Sequence, residues 1–376
     1  MKIDITIIGA GIVGLAIAFE LSEKYPNKDI VVLEKHDSYG QETSSRNSEV
    51  VHAGMYYTPG SLKAKLCVEG RQLLWDICAK HNILFRKLGK IIVATKEEEL
   101  NQLEEIKKKG EANGVEGLEI IGKDKIRELE PNVSAIVALY SPITGVIDSH
   151  SIMKYFYKKA KENGVMFCFN SEVTGIKKED EEYKIYCRDR SLTGPSLEIE
   201  SCIVINSAGL SADKIAAMAG IDIDSAGYRL HYLKGEYFSY SRTDRSSTCP
   251  LVNGLVYPTP QKGNKALGIH TLIDTGGSIK FGPNAYPVDE IDYNVVAEHR
   301  FAFHESIAKY LPSVQLEDLS PDQSGIRPKL NMKDGKEPDF IIQEDFPGFI
   351  NLIGIESPGL TSAPAIARHI LTHFDT

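Results

Sequence analysis

KIDITIIGAGIVGLAIAFELSEKY, residues 2–25, joins a run of β-branched residues to a glycine turn and then to a segment with helical periodicity. The run from Ile3 to Ile8 predicts a buried strand, and apolar residues spaced three and four apart after the turn predict a helix packed on it. IVVLEK, residues 30–35, predicts the next strand. A strand, a helix and a second strand in this order form a βαβ unit, which predicts a parallel sheet.

The turn of this unit contains Gly9, Gly11 and Gly14 in the pattern G-x-G-x-x-G, and Glu34 follows twenty residues after the last glycine. In this context the pattern is typical of dinucleotide binding. The first glycine makes the tight turn, the second lets backbone approach a pyrophosphate, and the third permits close packing of the helix on the strand. Glu34 ends the second strand, where a carboxylate accepts from ribose hydroxyls and repels a 2′-phosphate. A glycine turn without a ligand is the alternative interpretation.

The composition favours a two-domain globular protein in a reducing compartment. The chain has 376 residues, more than one ordinary hydrophobic core accommodates, with 42% apolar and 25% charged residues. A net charge of −9 with scattered basic residues argues against nucleic acid as a partner. The six cysteines lie far apart without C-x-x-C spacing, which predicts reduced thiols and no metal site.

The chain lacks the sequence signals of membrane insertion or export. No apolar run approaches about 18 residues, the length that suggests a spanning helix. The first strand begins at Ile3, which leaves no room for a basic leader. We therefore expect a cytoplasmic protein, and the sequence leaves open peripheral contact with the inner face of a membrane through an amphipathic surface.

Two later segments repeat the pattern of strand, glycine turn and helix: SCIVINSAGLSADKIA, residues 201–216, and GFINLIGIESPGLTSAPAIARHIL, residues 348–371. Three such units, widely separated in sequence, predict a nucleotide-binding domain assembled from discontinuous pieces. Between them, YFSY, GLVYPTP and ALGIHTL predict strands of a second, mostly antiparallel sheet, with one helix near 294–310. The predicted boundaries are 1–82, 146–215 and 326–376 for the nucleotide-binding domain, and 83–145 and 216–325 for the second, substrate-binding domain.

Several motifs together resemble one enzyme family. They are SSRNSEVVHAGMYYTPGSLKAKLCVEG (44–70), LKGEYF (233–238), LGIHTLIDTGGSIKFGPNA (267–285), SGIRPKL (324–330) and NLIGIESPGLTSAPAIA (351–367). With the glycine pattern, they resemble the L-2-hydroxyglutarate dehydrogenase/oxidase family within the D-amino-acid-oxidase-like superfamily. The resemblance covers nearly the whole chain. It implies an α/β fold with a discontinuous Rossmann-like FAD-binding domain and an α+β substrate domain.

The resemblance also implies which residues hold FAD. Gly9, Gly11, Gly14 and Glu34 would hold the ADP part. The loop Ser44, Ser45, Arg46 and Asn47 would follow the pyrophosphate and ribityl chain, and the backbone of Val173 would lie on the adenine side. The residues expected to close over the flavin are Gly209, Gly354, Ile355, Glu356, Gly359, Leu360 and Thr361.

Two of the ten histidines lie in these motifs, His52 in VVHAGMYY and His270 in LGIHTL. Oxidation of a 2-hydroxy acid to the 2-oxo acid needs a base for the hydroxyl proton while hydride passes to flavin N5, and histidine is suited to that task near neutral pH. We predict both as catalytic residues, and the sequence leaves open which is the base. A core role for His270 and covalent flavin attachment at His52 are the alternatives.

The predicted ligand of the substrate α-carboxylate is Arg327, because a guanidinium binds a carboxylate through two parallel hydrogen bonds and the following proline stiffens its backbone. Lys63 and Lys65 are predicted to lie on the solvated face of a helix. Glu49 departs from the family pattern and brings a negative charge to the cofactor loop. The candidates for the distal carboxylate are Lys234, Lys329, Tyr56 and Tyr57.

Other functions remain open from sequence alone. They are oxidation of an amine or amino acid such as glycine, sarcosine or a D-amino acid, oxidation of glycerol 3-phosphate, and a flavin-holding protein without turnover. The electron acceptor, oxygen or a quinone, and the oligomeric state are also undetermined by sequence.

Overall fold

The computed structural model of the protein describes residues 2–191, 197–242, 250–260, 268–332 and 337–374. The chain divides into two compact units. The first comprises Met1–Ser45, Ser149–Tyr232 and Arg327–Thr376, and the second comprises Arg46–Asp148 and Leu233–Ile326.

The described residues form the following elements. The strands are β1 (Lys2–Ile8), β2 (Ile30–Leu33), β3 (Val50–Val51), β4 (Phe85–Arg86), β5 (Lys90–Ala94), β6 (Glu119–Gly122), β7 (Val137–Ser141), β8 (Gly145–Ile147), β9 (Met166–Cys168), β10 (Ser171–Glu179), β11 (Glu182–Asp189), β12 (Leu197–Asn206), β13 (Leu230–Tyr240), β14 (Leu255–Pro258), β15 (His270–Ile273), β16 (Ile279–Gly282), β17 (Tyr286–Val288), β18 (Leu319–Leu330), β19 (Ile341–Phe346) and β20 (Phe349–Ile353). The α-helices are α1 (Ile12–Lys24), α2 (Leu62–His81), α3 (Leu100–Ala112), α4 (Lys123–Leu129), α5 (Ser149–Glu162), α6 (Ala212–Met218), α7 (Arg300–Ile307) and α8 (Gly359–Leu371).

The first unit is built on an eight-stranded sheet with a parallel centre. Strands β9, β2, β1, β12 and β20 run parallel, and the antiparallel strands β10, β11 and β19 extend it. The central strands are rich in isoleucine and valine and are mostly buried, as expected of a parallel sheet covered on both faces. Helix α1 packs against α5 and α8. The predicted α/β architecture is confirmed.

All three glycine-containing turns predicted from sequence lie at one edge of this sheet. Strands β1, β12 and β20 are parallel neighbours, and each is followed by a turn and then by a helix. The turn after β1 is bonded to its neighbours through Gly9 N to Leu33 O (2.8 Å) and Ser207 N to Ile8 O (2.9 Å). The carboxyl edge of a parallel sheet is where such folds bind nucleotides.

The second unit contains three smaller sheets. A four-stranded sheet has the order β14-β5-β7-β6, a five-stranded sheet has β15-β16-β13-β17 with β18 on β13, and β3-β8-β4 form the third. The pairing is antiparallel in most pairs of known direction, but β14 runs parallel to β5. One hydrophobic core cluster of this unit includes Ile92 of β5, Tyr257 of β14 and Leu272 of β15.

The unit boundaries differ from the predicted domain boundaries by more than three residues in two places. Residues 46–82 fall in the second unit, because β3 pairs with β8. Within this segment, Arg71 on α2 donates from Nη1 to Ala53 O (2.8 Å) and so holds α2 to the loop after β3. Residues 216–232 fall in the first unit, where Tyr228 and Leu230 pack with Ile353. The first boundary lies between Ser45 and Arg46, inside the motif of residues 44–70, so the sequence gives no sign of it.

Some local features also differ from the sequence prediction. The helix predicted near 294–310 is the shorter α7. Five cysteines are present as thiols, whereas Cys249 lies outside the described residues. Within the described ranges no group of three metal-ligating side chains is placed to hold an ion, and no helix there has the length and apolar character to cross a membrane.

Candidate functional site

The glycine turn has the geometry that a pyrophosphate needs. A Cβ on Gly14 would lie 2.0 Å from Gly9 O, so helix and turn touch there. A Cβ on Gly11 would meet only Ser44 Oγ at 3.0 Å. Gly11 caps α1 without a side chain, and Ser44 Oγ accepts from the Ile12 amide (2.9 Å). The open approach to a helix amino terminus fits the phosphates of a dinucleotide.

Glu34 is held rigidly at the end of β2. Its Oε2 accepts from the Ala10 amide (2.8 Å), and its Oε1 accepts from the His36 amide (2.9 Å). Each carboxylate oxygen has a second lone pair, so both can accept another hydrogen bond. This buried, oriented carboxylate fits the predicted contact with ribose hydroxyls.

The predicted cofactor loop crosses the unit boundary after Ser45. In the first unit, Ser45 Oγ donates to Glu42 O (3.2 Å). In the second unit, the Arg46 guanidinium lies over the Tyr293 ring, 4.1 Å from its centroid, and Asn47 O accepts from Gln323 Nε2 (3.2 Å). The residues on each side of the boundary are therefore held by contacts within their own unit.

Glu49 has a left-handed backbone with φ of +57°, and its amide donates to Asn47 Oδ1 (2.7 Å). This conformation favours glycine, so Glu49 occupies a backbone position that residues with a side chain seldom adopt.

The other predicted flavin-binding positions lie in the first unit. Val173 is buried beside an irregularity in β10. Gly209 has φ of +54° with open space at its Cβ position, whereas a Cβ on Gly354 would lie 2.6 Å from Leu330 Cδ1. Gly359 begins α8. The remaining positions are Ile355, Glu356, Leu360 and Thr361, in the loop before α8 and in its first turn.

His270 is a buried histidine at the start of β15, with 4% of its surface exposed. Its Nδ1 lies 2.8 Å from Gly268 O, and its ring stacks on Tyr257 with centroids 3.7 Å apart. A carbonyl oxygen only accepts, so Nδ1 must carry a proton and Nε2 carries the lone pair of a neutral ring. The geometry thus fixes which nitrogen could act as a base.

His52 is half-buried and follows β3 in the same unit. Its carbonyl accepts a weak hydrogen bond from Cys67 Sγ (3.5 Å), which joins the loop to α2. Burial raises the pKa of the Cys67 thiol to about 12, so this thiol stays protonated. Cys67 therefore anchors the backbone at His52 and is not a nucleophile.

The candidates for the distal carboxylate differ in availability. Lys234 Nζ lies 2.8 Å from Asp292 Oδ2, and Lys329 Nζ lies 2.8 Å from Glu356 Oε1. Both lysines are therefore neutralised by acids of their own unit. Tyr57 is half-buried, and its carbonyl accepts from Asn113 Nδ2 (2.9 Å). Tyr56 differs from both lysines: its buried hydroxyl makes no hydrogen bond to any described residue, and burial raises its pKa well above the ordinary range.

Arg327 is half-buried on β18 and precedes the buried Pro328. Lys63 is 5% exposed, so its predicted solvated position is wrong, whereas Lys65 is exposed. Lys63 lies on the face of α2 that buries Leu66 and Gly70, three and seven residues further on.

Sequence reasoning misses Lys90, the first residue of β5, which is 1% exposed. Its Nζ lies 4.7 Å from the Tyr56 ring centroid and 4.5 Å from that of Tyr257, and it makes no hydrogen bond to a described residue. Burial lowers the pKa of this ammonium to about 7. The available signal is the unbroken apolar run after Lys90, which predicts a strand buried on both faces.

The chain is similar to known FAD-dependent oxidoreductases over nearly its whole length. The family model described as FAD dependent oxidoreductase (DAO) matches residues 4–372. The chain is 37% identical to the mitochondrial L-2-hydroxyglutarate dehydrogenase of Arabidopsis thaliana, covering 99% of this chain and 83% of the relative. It is 32% identical to a glycerol 3-phosphate dehydrogenase of Caloramator mitchellensis, covering 98% and 73%.

Among solved structures, the FAD-bound L-alpha-glycerophosphate oxidase of Mycoplasma pneumoniae is 28% identical, with a TM-score of 0.87, covering 100% of this chain and 95% of that one. The predicted fold class and the predicted FAD cofactor are confirmed by these matches, and the chain belongs to the DAO family of FAD-dependent oxidoreductases.

Proposed function

We propose that this protein oxidises L-2-hydroxyglutarate, or a close L-2-hydroxy acid, to the corresponding 2-oxo acid. The relatives named L-2-hydroxyglutarate dehydrogenase support this substrate, since they match nearly the whole chain in a plant, an animal and a bacterium. FAD, when bound, supplies the acceptor for the hydride of the substrate α-carbon. The protein must bind the acid and take up the hydroxyl proton.

The observation that carries the proposal is the anchored ring of His270. Its Nδ1 donates to Gly268 O at 2.8 Å, so the neutral imidazole has its lone pair at Nε2. Such a base contributes on the order of 10² to 10⁴ in rate. His270 is the proposed base, and His52 is the second proposed catalytic histidine.

Arg327 is the proposed ligand of the α-carboxylate, because its planar guanidinium suits two parallel hydrogen bonds. Tyr56 is favoured over Lys234 and Lys329 as a polar group for the distal end of the substrate. Each of the two lysines already neutralises an acid, whereas the Tyr56 hydroxyl makes no hydrogen bond to a described residue.

Glycerol 3-phosphate oxidation is the second candidate function. It is favoured by the 32% identical dehydrogenase and by the similarity to the glycerophosphate oxidase structure. Both substrates are anions that lose hydride from a carbon bearing a hydroxyl group, so the same histidine would serve either. A phosphate group calls for more positive charge than a carboxylate.

The test is the visible spectrum of the FAD-loaded protein under anaerobic conditions. L-2-hydroxyglutarate, its D-isomer, glycerol 3-phosphate and glycine are added separately. Bleaching by the L-hydroxy acid alone supports the proposal, and bleaching by glycerol 3-phosphate alone supports the second candidate. Bleaching by none of the four contradicts both. Reoxidation by oxygen or by a soluble quinone then identifies the electron acceptor.

A further inference from the structure

Three side chains of the second unit stand in a row across neighbouring strands. Lys90 is on β5, Tyr257 is on β14, which pairs with β5, and His270 is on β15. Strands β14 and β15 are linked by the Val256 amide, which donates to Thr271 Oγ1 (2.7 Å). The Tyr257 ring lies 4.5 Å from Lys90 Nζ and 3.7 Å from the His270 ring. Tyr257 is therefore the physical link between the buried amine and the proposed base.

The row is poorly explained as a stabilising feature of the core. Lys90 is fully buried and makes no hydrogen bond to a described residue, so its charge is balanced only by the faces of Tyr56 and Tyr257. Burying an ammonium group without an ion-pair partner costs stability. A methionine would fill similar space without that cost. An amine placed here at a cost points to a function.

The neighbouring groups do not neutralise Lys90. Cys67, on α2, is close enough to affect the amine, but burial keeps its thiol protonated. Tyr56 and Tyr257 present their rings, and burial keeps the Tyr56 phenol protonated. The ammonium attracts the electron-rich ring face, and this attraction is strong where water is excluded.

We propose that Lys90 is a positioning residue for His270 and acts through the Tyr257 ring. In its protonated form the amine holds the ring, the ring fixes one face of the imidazole, and Gly268 O fixes its Nδ1 edge. The direction of Nε2 is then set from two sides. The proposal rests on the proposed function in one respect, namely that His270 is the base of the oxidation.

The kinetic test measures anaerobic flavin reduction by L-2-hydroxyglutarate in a stopped-flow instrument. Lys90→Met is expected to lower the limiting reduction rate about 10-fold or more, since small misplacements of a reacting group have effects up to about 10²-fold. The substrate Kd and the FAD content should change little. Lys90→Arg, which keeps a cation beside the rings, should recover most of the rate. Ile92→Met, two residues along the same strand, is the packing control, and Lys90→Gln replaces Lys90→Met if that variant fails to fold.

A double-mutant cycle tests whether the effect passes through Tyr257. Tyr257→Leu should slow reduction as much as Lys90→Met, and the double variant should be no slower than Tyr257→Leu alone. A Lys90→Met rate within twofold of wild type, or losses that multiply in the double variant, would overturn the proposal.

A substrate-free measurement separates this proposal from the proposed function. In protein with ¹⁵N-labelled histidine, Lys90→Met should move the ring resonances of His270 and leave those of His299, which is bound to Glu236, in place. If wild type is not bleached by L-2-hydroxyglutarate, the proposed substrate fails, while a His270 shift still supports the link. Unchanged His270 resonances refute the link whatever the substrate.

Discussion

The ammonium group of Lys329 lies 2.8 Å from Oε1 of Glu356, in the loop that precedes α8. The Glu356 side chain is 4% exposed, and Lys329 also contacts Glu337, whose side chain is mostly exposed. Burial opposes the charged form of Lys329, but the two acids outweigh it and raise the pKa of its ammonium. Lys329 therefore neutralises the loop predicted to contact the flavin, which argues against a role for it in binding the distal carboxylate.

Lys329→Met should lower the free energy of unfolding by about 2 to 4 kcal/mol, because it removes the ammonium group that lies 2.8 Å from the buried Glu356 carboxylate. Urea denaturation of the apo protein measures this change. Glu337→Gln is the matched control, since it removes only the exposed partner and should cost about 0.5 kcal/mol or less. Equal stabilities of Lys329→Met and Glu337→Gln would show that the buried contact contributes little.

Substitutions in the glycine turn should separate a packing role from a ligand role. Gly14→Ala should destabilise the apo protein, because its Cβ would lie 2.0 Å from Gly9 O. Gly11→Ala should leave apo stability nearly unchanged but weaken FAD binding, because only Ser44 Oγ lies near its Cβ and the pyrophosphate is expected there. Thermal melting and FAD titration of both variants make the comparison. Full FAD affinity in Gly11→Ala would remove the pyrophosphate from this turn.

The parts of the molecule that depend on local sequence are the parts that sequence predicts. The turn at Gly9 can be predicted from residue spacing, since the close backbone contacts that require glycine all lie within one βαβ unit and its neighbouring turn. Which lysines are neutralised depends on long-range pairing: Lys234 meets Asp292, and Lys329 meets Glu356, through folding that no local pattern encodes. Those two candidates could not have been separated from Tyr56 by sequence alone.

Burial of charged residues was predictable only in part. Lys63 follows the helical period of its buried neighbours, so the sequence contained the signal that it faces the core. Lys90 begins a strand, where a lysine is ordinarily solvated, and its burial results from strands β14 and β7 pairing on either side of β5. Which strands pair with β5 depends on the tertiary structure and cannot be read from the sequence around Lys90.

His270→Asn should slow flavin reduction by about 10² to 10⁴-fold while FAD stays bound, because the proposed base is removed. His52→Ala should also slow reduction with FAD retained if that histidine is catalytic. Stopped-flow absorbance gives the reduction rate, and the protein-bound flavin spectrum gives the FAD content. Wild-type rates of reduction by L-2-hydroxyglutarate in both variants would show that neither histidine is the base. Loss of FAD from either variant would show that the histidine is structural.

Arg327→Ala should weaken substrate binding by about 1.5 to 3 kcal/mol, the contribution of a hydrogen bond to a charged group. Arg327→Lys should restore only part of this loss, because an ammonium keeps the charge but lacks the planar pair of donors. The concentration dependence of the reduction rate gives the substrate Kd for each variant. If Kd is the same in all three proteins, Arg327 does not bind the substrate.

Lys90→Met should stabilise the fold most in acid. Burial lowers the pKa of Lys90 to about 7 in the folded state, whereas an unfolded lysine titrates near about 10.4. Between these values the unfolded chain binds the extra proton, so the penalty for Lys90 is complete below pH 7 and fades as the pH rises towards 10. Removing the amine should therefore raise the free energy of unfolding by about 1 to 4 kcal/mol at pH 6 and by much less at pH 9.

Denaturation of wild type, Lys90→Met and the control Ile92→Met at both pH values gives the comparison. A gain independent of pH would mean that the amine carries no charge penalty. A gain confined to low pH, together with slower flavin reduction, would show that stability is sacrificed at Lys90 for the position of His270.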